Sequence, residues 1–203
     1  YQDWRRVLID DAGDIGKTGQ PAWARHATFL HEEERRGALA NVIAAIRGMA
    51  PLDTDVIVLL DGDDWLIRPD VFARLAAIYE DPNIQCTYGS CFVLGQGNVY
   101  PPADYSPEVK AARSYRSAPW AATHLKTFRA KKWREIPPEE LIDPNTRAHW
   151  AFAWDMPIMF PLLETSAPNE VRFVREPLVV YNDATGANEN TVDPAAQRYV
   201  EAR

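Results

Sequence analysis

The stretch "VLLDGDDWL" (residues 58–66) decides the fold prediction for this chain. It belongs to an apolar run over residues 55–61, and a continuous apolar, β-branched run is typical of a strand covered on both faces. The run ends at Asp61, Asp63 and Asp64, three carboxylates within four positions. Carboxylates this close together are costly unless a cation compensates them, and oxygen ligands suit a hard ion such as Mg²⁺ or Mn²⁺. The stretch therefore predicts a buried strand that ends at a metal site, with a solvated acidic turn as the alternative.

Predicted strands and helices alternate on both sides of this stretch. Short apolar runs indicate strands, and apolar residues that recur every three or four positions indicate helices. The predicted strands are residues 5–14, 26–31, 55–61, a pair within 84–100, and 171–183; the predicted helices are residues 32–50, 68–82, 124–136 and 151–167, with a surface loop at 101–118. The alternation predicts an α/β fold with a mostly parallel sheet, in which ligands bind at the carboxyl ends of the strands.

Two of the predicted helices carry features that a structure can test. Three consecutive glutamates begin the helix predicted over 32–50, where they suit the positive end of its dipole. Pro161 lies inside the helix predicted over 151–167 and is expected to bend it. The same helix carries Asp155 near its start, at the edge where a site is expected.

The composition limits the classes of partner and the cellular compartment. The 203-residue chain has the length of about one large domain. Its net charge of −7 and pI near 5.1 disfavour nucleic acid or an anionic membrane surface as the main partner, since both attract basic patches. Cys86 and Cys91 form no metal motif or disulfide framework, so we predict free buried thiols. No apolar run approaches the ~20 residues that span a bilayer, and the first residues do not resemble a signal peptide, so a cytoplasmic location is expected.

Five sequence elements, taken in order, resemble a known enzyme family. They are "VLIDDAGD", "RRGALAN", "LLDGDDWL" followed by "PDVF", "HLKTFR", and "WDMPIMFPLLE" followed by "YN". Together they resemble the inverting nucleotide-sugar glycosyltransferases of family 2 over residues 3–182. That family has the GT-A fold, a Rossmann-like mixed sheet flanked by helices. The resemblance implies a single catalytic domain over 1–183, with a nucleotide-binding part at about 1–100 and an acceptor part at about 101–183; a loosely ordered tail is expected at 184–203.

The resemblance implies metal-dependent transfer of a sugar from a nucleoside-diphosphate sugar, commonly UDP-linked, to a hydroxyl of a glycan or other acceptor. Mn²⁺ or Mg²⁺ would stabilise the charge that grows on the diphosphate leaving group. Asp63 is implied as a direct metal ligand, Asp61 as a ligand or a ribose contact, and Asp64 as an alternative ligand. Asp155 matches the acid that opens the acceptor-half helix and is implied as the general base. A plain helix N-cap is the alternative for Asp155.

The remaining implied site residues belong to the nucleotide and donor pocket. For each, a structural role such as turn stabilisation, helix capping, packing or a solvated basic face is the alternative. The implied donor-binding residues are Asp10, Asp11, Arg36, Asn41, Asp61, His124 and Lys126, and His124 would contact the diphosphate or complete the metal shell. Lys126 and Arg129, one helical turn apart in the predicted helix, would pair with phosphate. One of Trp120, Trp133, Trp150 and Trp154 is expected to touch a sugar ring.

The sequence departs from the family in two places. The family's first strand and helix have no counterpart here, and in the family that strand separates the strands that match residues 7–10 and 56–60. We therefore expect those two strands not to pair directly, and a unit of ~30 residues to precede Tyr1 or to come from another chain. The processive Gln-x-x-Arg-Trp motif does not occur, which favours a single transfer.

Two other function classes share some of these features. A non-catalytic carbohydrate-binding or scaffolding domain of the same fold would keep the sheet without the chemistry. A sugar-nucleotide nucleotidyltransferase also joins acidic metal ligands to an α/β sheet, although the chain does not begin with a Gly-rich, Lys-bearing phosphate loop. The resemblance leaves open an association with a membrane surface or a larger complex.

Overall fold

The computed structural model describes residues 4–19, 22–100, 103–184 and Tyr199. Its strands are β1 Arg6–Asp11, β2 Ala27–Glu32, β3 Val56–Leu59, β4 Trp65–Leu66, β5 Cys86–Val93, β6 Asn98–Tyr100, β7 Thr123–Arg129 and β8 Val171–Tyr181. Its α-helices are α1 Ile15–Thr18, α2 Ala38–Met49, α3 Val71–Tyr79, α4 Pro107–Ala112, α5 Ala130–Trp133 and α6 Met156–Thr165. Short 3₁₀ turns occupy Ala22–Ala24, Tyr115–Ser117, Pro138–Leu141 and Pro168–Glu170. Within these ranges, no helix has both the length and the apolar character needed to cross a membrane.

The strands form two sheets flanked by helices, so the α/β prediction is confirmed at that level. A two-stranded parallel sheet holds β1 and β2, and a six-stranded mixed sheet has the order β3-β7-β5-β8-β4, with β6 also paired to β5. The prediction of a mostly parallel sheet is wrong for the larger sheet, where only β5 and β8 run parallel. The physical reason is that an apolar strand buried on both faces has the same sequence pattern whichever way its neighbour runs.

The strands that match residues 7–10 and 56–60 do not pair. In the described part of the chain, β1 pairs with β2 alone and β3 pairs with β7 alone. The starts of the two strands are nevertheless close, because Arg5 Nη2 lies 3.6 Å from Asp55 Oδ2. This geometry agrees with the expectation of separate strands, and the expected unit between them stays a prediction.

The segment "HLKTFRAKKWREI" is mostly not the predicted helix. Residues 123–129 form β7, which pairs with β3 on one side and β5 on the other, and only the short helix α5 follows. The strand is buried along most of its length, and Leu125 and Phe128 belong to different buried clusters. Pairing on both sides outweighs the helical preference suggested by the Ala-Lys-Lys run that follows. Arg129 consequently donates to the carbonyls of Ile84 and Tyr79, both at 2.8 Å, and does not join Lys126 on a helix face.

Two other predicted boundaries are corrected by capping geometry. The helix predicted over 32–50 begins at Ala38, because Glu32 closes β2 and Gly37 has a left-handed φ of 85° just before the helix. The predicted dipole role of the glutamates at 32–34 is therefore wrong. The surface loop predicted at 101–118 contains α4, whose start is capped when the Ser106 hydroxyl accepts from the Val109 N–H at 3.3 Å.

Two clusters of buried apolar side chains flank the large sheet. One joins residues of α2 and α6 to β3, β5 and β7, and the other joins Val71 and Leu75 of α3 to β5, β7 and β8. Cys86 and Cys91 are free and buried as predicted, although both lie on β5 and not on two paired strands. Pro161 lies inside α6, and the bend expected there stays a prediction.

Tyr199 is fully buried, which the prediction of a loose tail did not anticipate. Its hydroxyl donates to Glu140 Oε2 at 2.7 Å, and its ring stacks on Phe160 at a centroid distance of 5.9 Å. Arg116 lies beside both rings and binds Glu164 through two hydrogen bonds of 2.7 and 2.8 Å. Of the rest of the predicted tail, the structure describes only Ala184.

Gly89 of β5 lies between two irregular neighbours. Pairing between β5 and β7 shifts so that residues 124–126 bulge, and pairing between β5 and β8 shifts so that residues 175–178 bulge. A Cβ atom at Gly89 would lie 2.9 Å from the carbonyl oxygen of Val174 and 3.2 Å from that of His124. Both are backbone atoms, so neither can move aside as a flexible side chain would. A bulge re-aims the side chains of its strand, and here it sets the positions of residues 124 and 126.

Gly89→Ala is therefore expected to lower the free energy of unfolding by about 1–3 kcal/mol, the usual cost of overpacking. The matched control is Gly48→Ala, because Gly48 lies exposed in α2 with no atom within 4 Å of the added Cβ. That control is expected to be neutral or to stabilise by up to about 1 kcal/mol. Urea unfolding followed by circular dichroism measures both, and equal effects would contradict the close approach at Gly89.

Candidate metal site

The acidic turn after β3 is held in place by a distant strand. The turn closes when the Asp64 N–H donates to the Asp61 carbonyl at 3.2 Å, and the chain then enters β4. Trp65 of β4 pairs with Val180 of β8, and Asp64 Oδ1 accepts from the backbone N–H of Asn182 at 2.9 Å. The carboxylate of Asp64 is therefore fixed from two sides, and its side chain is fully shielded from solvent.

The bulge in β7 places two further polar side chains beside this turn. His124 and Lys126 both lie in the bulged part of β7, and both side chains interact with acids of the turn. Lys126 pairs with Leu59, two residues before Asp61, and His124 Nδ1 lies 3.3 Å from Asp64 Oδ2. The His124 ring also packs on Tyr181, with ring centroids 5.3 Å apart. The segment 124–129 is a strand and not the predicted helix, but His124 and Lys126 still lie at the predicted site.

Asp61, Asp64 and His124 form a group that fits a metal ion. One ligand atom from each of them lies within 4.8 Å of the others. Asp64 Oδ2 is buried and has no hydrogen-bond partner among the described residues, because its approach to His124 lacks hydrogen-bond geometry. A buried carboxylate oxygen without a partner is costly, and a divalent cation would satisfy it. Two oxygens and one imidazole nitrogen form a donor set that suits Mn²⁺, and waters can complete the shell.

The electrostatics of this group also favour a cation. Burial, reinforced by the charges of Asp61 and Asp63, raises the pKa of Asp64 to about 6. Burial raises the pKa of Asp61 as well, with Asp155 and Asp63 adding to the shift against the opposing charge of Lys126. Burial and the nearby Lys126 hold the pKa of His124 well below its usual range, so its imidazole is neutral and can act as a ligand.

Lys126 links this group to Asp155. Its side chain is buried, and its Nζ lies 2.8 Å from Asp155 Oδ2. Burial alone would lower the pKa of Lys126, but the carboxylates of Asp155 and Asp61 outweigh it and hold that pKa above its ordinary value. Lys126 is therefore a charged ammonium that contacts Asp155 and interacts with Asp61 of the metal group.

Asp155 occupies the N-cap position of α6 without capping the helix. Its backbone carbonyl accepts from the N–H groups of Ile158 and Met159, but its carboxylate makes no capping hydrogen bond. The carboxylate instead faces Lys126, on the side of the sheet that carries Asp61. The simple capping role is therefore wrong, and the geometry leaves Asp155 available for chemistry at this site.

Trp154 is the tryptophan of the four candidates that adjoins the cluster. Its ring centroid lies 5.6 Å from Lys126 Nζ, a cation–π distance. The other three pack elsewhere: Trp120 against Phe160, Trp133 against Phe128, and Trp150 with its indole N–H on the Glu140 carbonyl. Sequence reasoning could not select among them, since all four lie in similar apolar contexts.

The predicted nucleotide-binding residues of β1 and α2 form a second group. Asp11 accepts from the N–H groups of Arg36 at 2.7 Å and Gly37 at 2.9 Å. Burial raises its pKa, but these bonds and the Asn41 amide outweigh burial and hold it below its ordinary value. This arrangement matches the turn-stabilising alternative for Asp11, because its carboxylate holds the entry to α2. The Arg36 guanidinium bonds Glu32 at 2.8 Å.

Asp10 and Asn41 are the buried members of this second group. Asp10 Oδ2 lies 3.1 Å from His31 Nδ1, and the two residues are neighbours in the parallel register of β1 and β2. Sequence reasoning missed His31, because the pairing of the two strands was needed to find it. Asn41 Oδ1 is buried without a hydrogen-bond partner in the described residues. The structure brings this group together, and its role in nucleotide binding stays a prediction.

Asp63 lies in the turn but outside the metal group. Its charge raises the pKa of both Asp61 and Asp64, so it adds to the local negative potential. The assignment of Asp63 as the first metal ligand stays a prediction, whereas the geometry favours Asp61 and Asp64.

A shallow cleft of about 280 Å³ exists elsewhere, between the end of α2 and α5, and is lined by Arg47 and Arg134 without any acid. It therefore does not mark this site.

Comparison with known proteins adds no family assignment. No protein-family model matches the chain, and a search of curated proteins found no match.

Proposed function

We propose that this chain is a metal-dependent inverting glycosyltransferase that moves a sugar from a nucleoside-diphosphate sugar, commonly UDP-linked, to a hydroxyl acceptor. The observation that carries the proposal is the buried Asp64 Oδ2, which has no hydrogen-bond partner in the part of the chain that the structure describes, within the Asp61, Asp64 and His124 group. It lies at the carboxyl end of β3, beside an acid held by a buried lysine. A glycan is the acceptor class we favour, because the partly exposed Trp154 precedes Asp155 in the chain and lies beside its partner Lys126.

In this proposal Asp61, Asp64 and His124 hold Mn²⁺ or Mg²⁺. When bound, the ion supplies positive charge against the diphosphate leaving group. The structure supports this because the three ligand atoms converge on one space and the two carboxylates already carry raised pKa values there. Without the ion, the charges of Asp61 and Asp64 repel each other. With the ion bound, both charges are attracted to it.

Asp155 is the general base of the proposal. The acceptor O–H gives its proton to the Asp155 carboxylate while its oxygen forms the new bond to the anomeric carbon. The bond from that carbon to the diphosphate oxygen breaks, and the electron pair leaves with the nucleoside diphosphate. Attack on the face opposite the leaving group inverts the anomeric configuration. This role is supported by the carboxylate of Asp155, which makes no capping hydrogen bond to its own helix.

One observation favours a second candidate, a non-catalytic carbohydrate-binding domain of the same fold. Asp155 Oδ2 lies 2.8 Å from Lys126 Nζ, so one of the two carboxylate oxygens is already occupied and is not open to an acceptor hydroxyl. Such a domain would bind a sugar nucleotide or a glycan without turning it over. The free, buried Cys86 and Cys91 fit a reducing compartment for either candidate, and we propose the cytoplasm.

The test is a thermal-shift screen of nucleotide sugars against the full chain, with Mn²⁺, with Mg²⁺ and with EDTA. A ligand of the native state adds about 2.7 kcal/mol of stability at 100 times its dissociation constant. We expect stabilisation by one class of nucleotide sugar only when the metal is present. Release of nucleoside diphosphate from that donor then separates the enzyme from the binding domain. Equal melting temperatures with and without every donor in Mn²⁺ would overturn the transferase and any sugar-nucleotide-binding domain, and would leave only a domain that binds glycan.

A further inference from the structure

The cluster around the acidic turn contains four carboxylates and one charged side chain of opposite sign. Asp61, Asp63 and Asp64 come from the turn, and Asp155 comes from the start of α6. Lys126 is the cation, and it lies in contact with Asp155 and within electrostatic reach of Asp61. Lys126 therefore supplies positive charge both to Asp155 and to the acids of the turn.

Burying a charged lysine in this cluster costs free energy, and that cost needs a compensating reason. A buried lysine loses its hydration, and an apolar residue of the same size would avoid that loss. Hard divalent ions take six or more oxygen ligands, so a carboxylate near Asp61 has a strong tendency to join the shell of any ion bound there. A carboxylate bound to a metal ion cannot accept a proton from an acceptor hydroxyl.

We propose that Lys126 is a positioning residue that keeps Asp155 out of the metal shell. The inference rests on the proposed function, since it concerns how one site separates a metal ligand set from a base. The ion pair at 2.8 Å holds Asp155 Oδ2 on the lysine side, and Oδ1 remains for the acceptor hydroxyl. The Trp154 ring lies 5.6 Å from Nζ, so a cation–π contact adds to the ion pair in holding the ammonium at this position.

The test measures Mn²⁺ binding alone, without donor or acceptor. Lys126→Met removes the charge and keeps the length of the side chain, so Asp155 becomes free to join the ion. We expect Mn²⁺ affinity, titrated by electron paramagnetic resonance, to rise about tenfold, within the range of couplings between contacting residues. The number of waters on bound Mn²⁺, measured from oxygen-17 line broadening, is expected to fall.

A double-mutant cycle separates ligation from a general loss of positive charge. Asp155→Asn should change Mn²⁺ affinity only slightly when Lys126 is present, and should lower it about tenfold in the Lys126→Met background. Simple charge removal would give the same effect of Asp155→Asn in both backgrounds, and that result would overturn the inference. The matched control is Lys132→Met, because Lys132 is also buried and paired with a carboxylate, that of Glu135, away from the cluster.

A variant that does not fold, additive effects of the two substitutions, and a lack of Mn²⁺ binding each have a defined consequence. If Lys126→Met does not fold, Lys126→Gln replaces it in the same cycle, because its side chain is polar but uncharged and one atom shorter, which removes the ion pair with Asp155. Wild-type protein that binds Mn²⁺ with additive effects of the two substitutions overturns the inference and leaves the proposed function standing. Wild-type protein that binds no Mn²⁺ overturns both.

Discussion

Asp155→Asn is expected to reduce sugar transfer by roughly 10²–10⁴-fold, the usual contribution of a general base. The amide keeps the shape of the side chain and can bond an acceptor hydroxyl, but it cannot take a proton at neutral pH. Donor and metal binding should stay close to wild type, because the metal group of Asp61, Asp64 and His124 does not include this residue. Release of nucleoside diphosphate in the presence of acceptor measures the loss.

A stability change must be distinguished from a catalytic one, because Asp155→Asn also breaks an ion pair. Glu164→Gln is the matched control, since Glu164 lies on the same helix and binds Arg116 at 2.7 Å. It should lower the melting temperature without reducing turnover of the folded protein. Equal activity losses in the two variants, or unchanged turnover in Asp155→Asn, would remove Asp155 from the mechanism.

Asp64→Asn is expected to abolish Mn²⁺ binding and to remove a pH-dependent destabilisation of the metal-free protein. The pKa of Asp64 is about 6 in the folded chain, above the ordinary value of 3.8. The folded state therefore binds the proton more tightly than the unfolded state. Protonated Asp64 therefore adds to the free energy of unfolding. This contribution is fully present below pH 3.8 and is lost as the pH rises through about 6. The loss amounts to roughly 3 kcal/mol, because one pKa unit corresponds to about 1.4 kcal/mol.

The measurement is urea unfolding of both proteins in EDTA at pH 4 to 8. The difference between wild type and Asp64→Asn isolates this carboxylate, because other titrating groups are common to both. The variant should gain stability relative to wild type as the pH rises. Asp104→Asn is the control, since Asp104 bonds Lys110 and Tyr88 outside the metal group. A constant difference across this pH range would show that Asp64 does not titrate as the structure indicates.

Mn²⁺ should reverse the destabilisation in wild type. Bound metal interacts with the ionised carboxylate, so stabilisation by the ion should be larger at pH 8 than at pH 5. In Asp64→Asn the ion should have little effect at either pH. Stabilisation of the variant equal to that of wild type would place the metal elsewhere.

The parts of this structure that sequence reasoning recovered are those set by local patterns. The apolar run before Asp61 forms β3, and the apolar helix after Asp155 forms α6, because burial pattern and chain direction are visible in a few residues. The segment at 124–129 was misassigned because its conformation depends on strands on both sides. No local pattern contains that information.

For the same reason, the sequence indicated the individual residues of the candidate site but not how they are grouped. The resemblance indicated Asp61, Asp64, His124 and Lys126, but not which of them share a ligand group. The ion pair between Lys126 and Asp155 depends on the direction of a side chain at a bulge, which requires the register of β5 and β7. The sheet order that brings turn, strand and helix together could only be observed in three dimensions.

The hydrogen bond between Asn182 and Asp64 has a consequence for folding kinetics. It joins residues 118 positions apart, so its formation closes one of the longest loops in the chain. Contacts of such sequence separation form slowly, because the chain loses the entropy of the intervening segment before it gains the contact. We therefore expect the acidic turn to remain solvated until β8 has docked beside β4. In a refolding reaction, the appearance of Mn²⁺ affinity would then report the last stage of sheet assembly, after most helical signal has already returned.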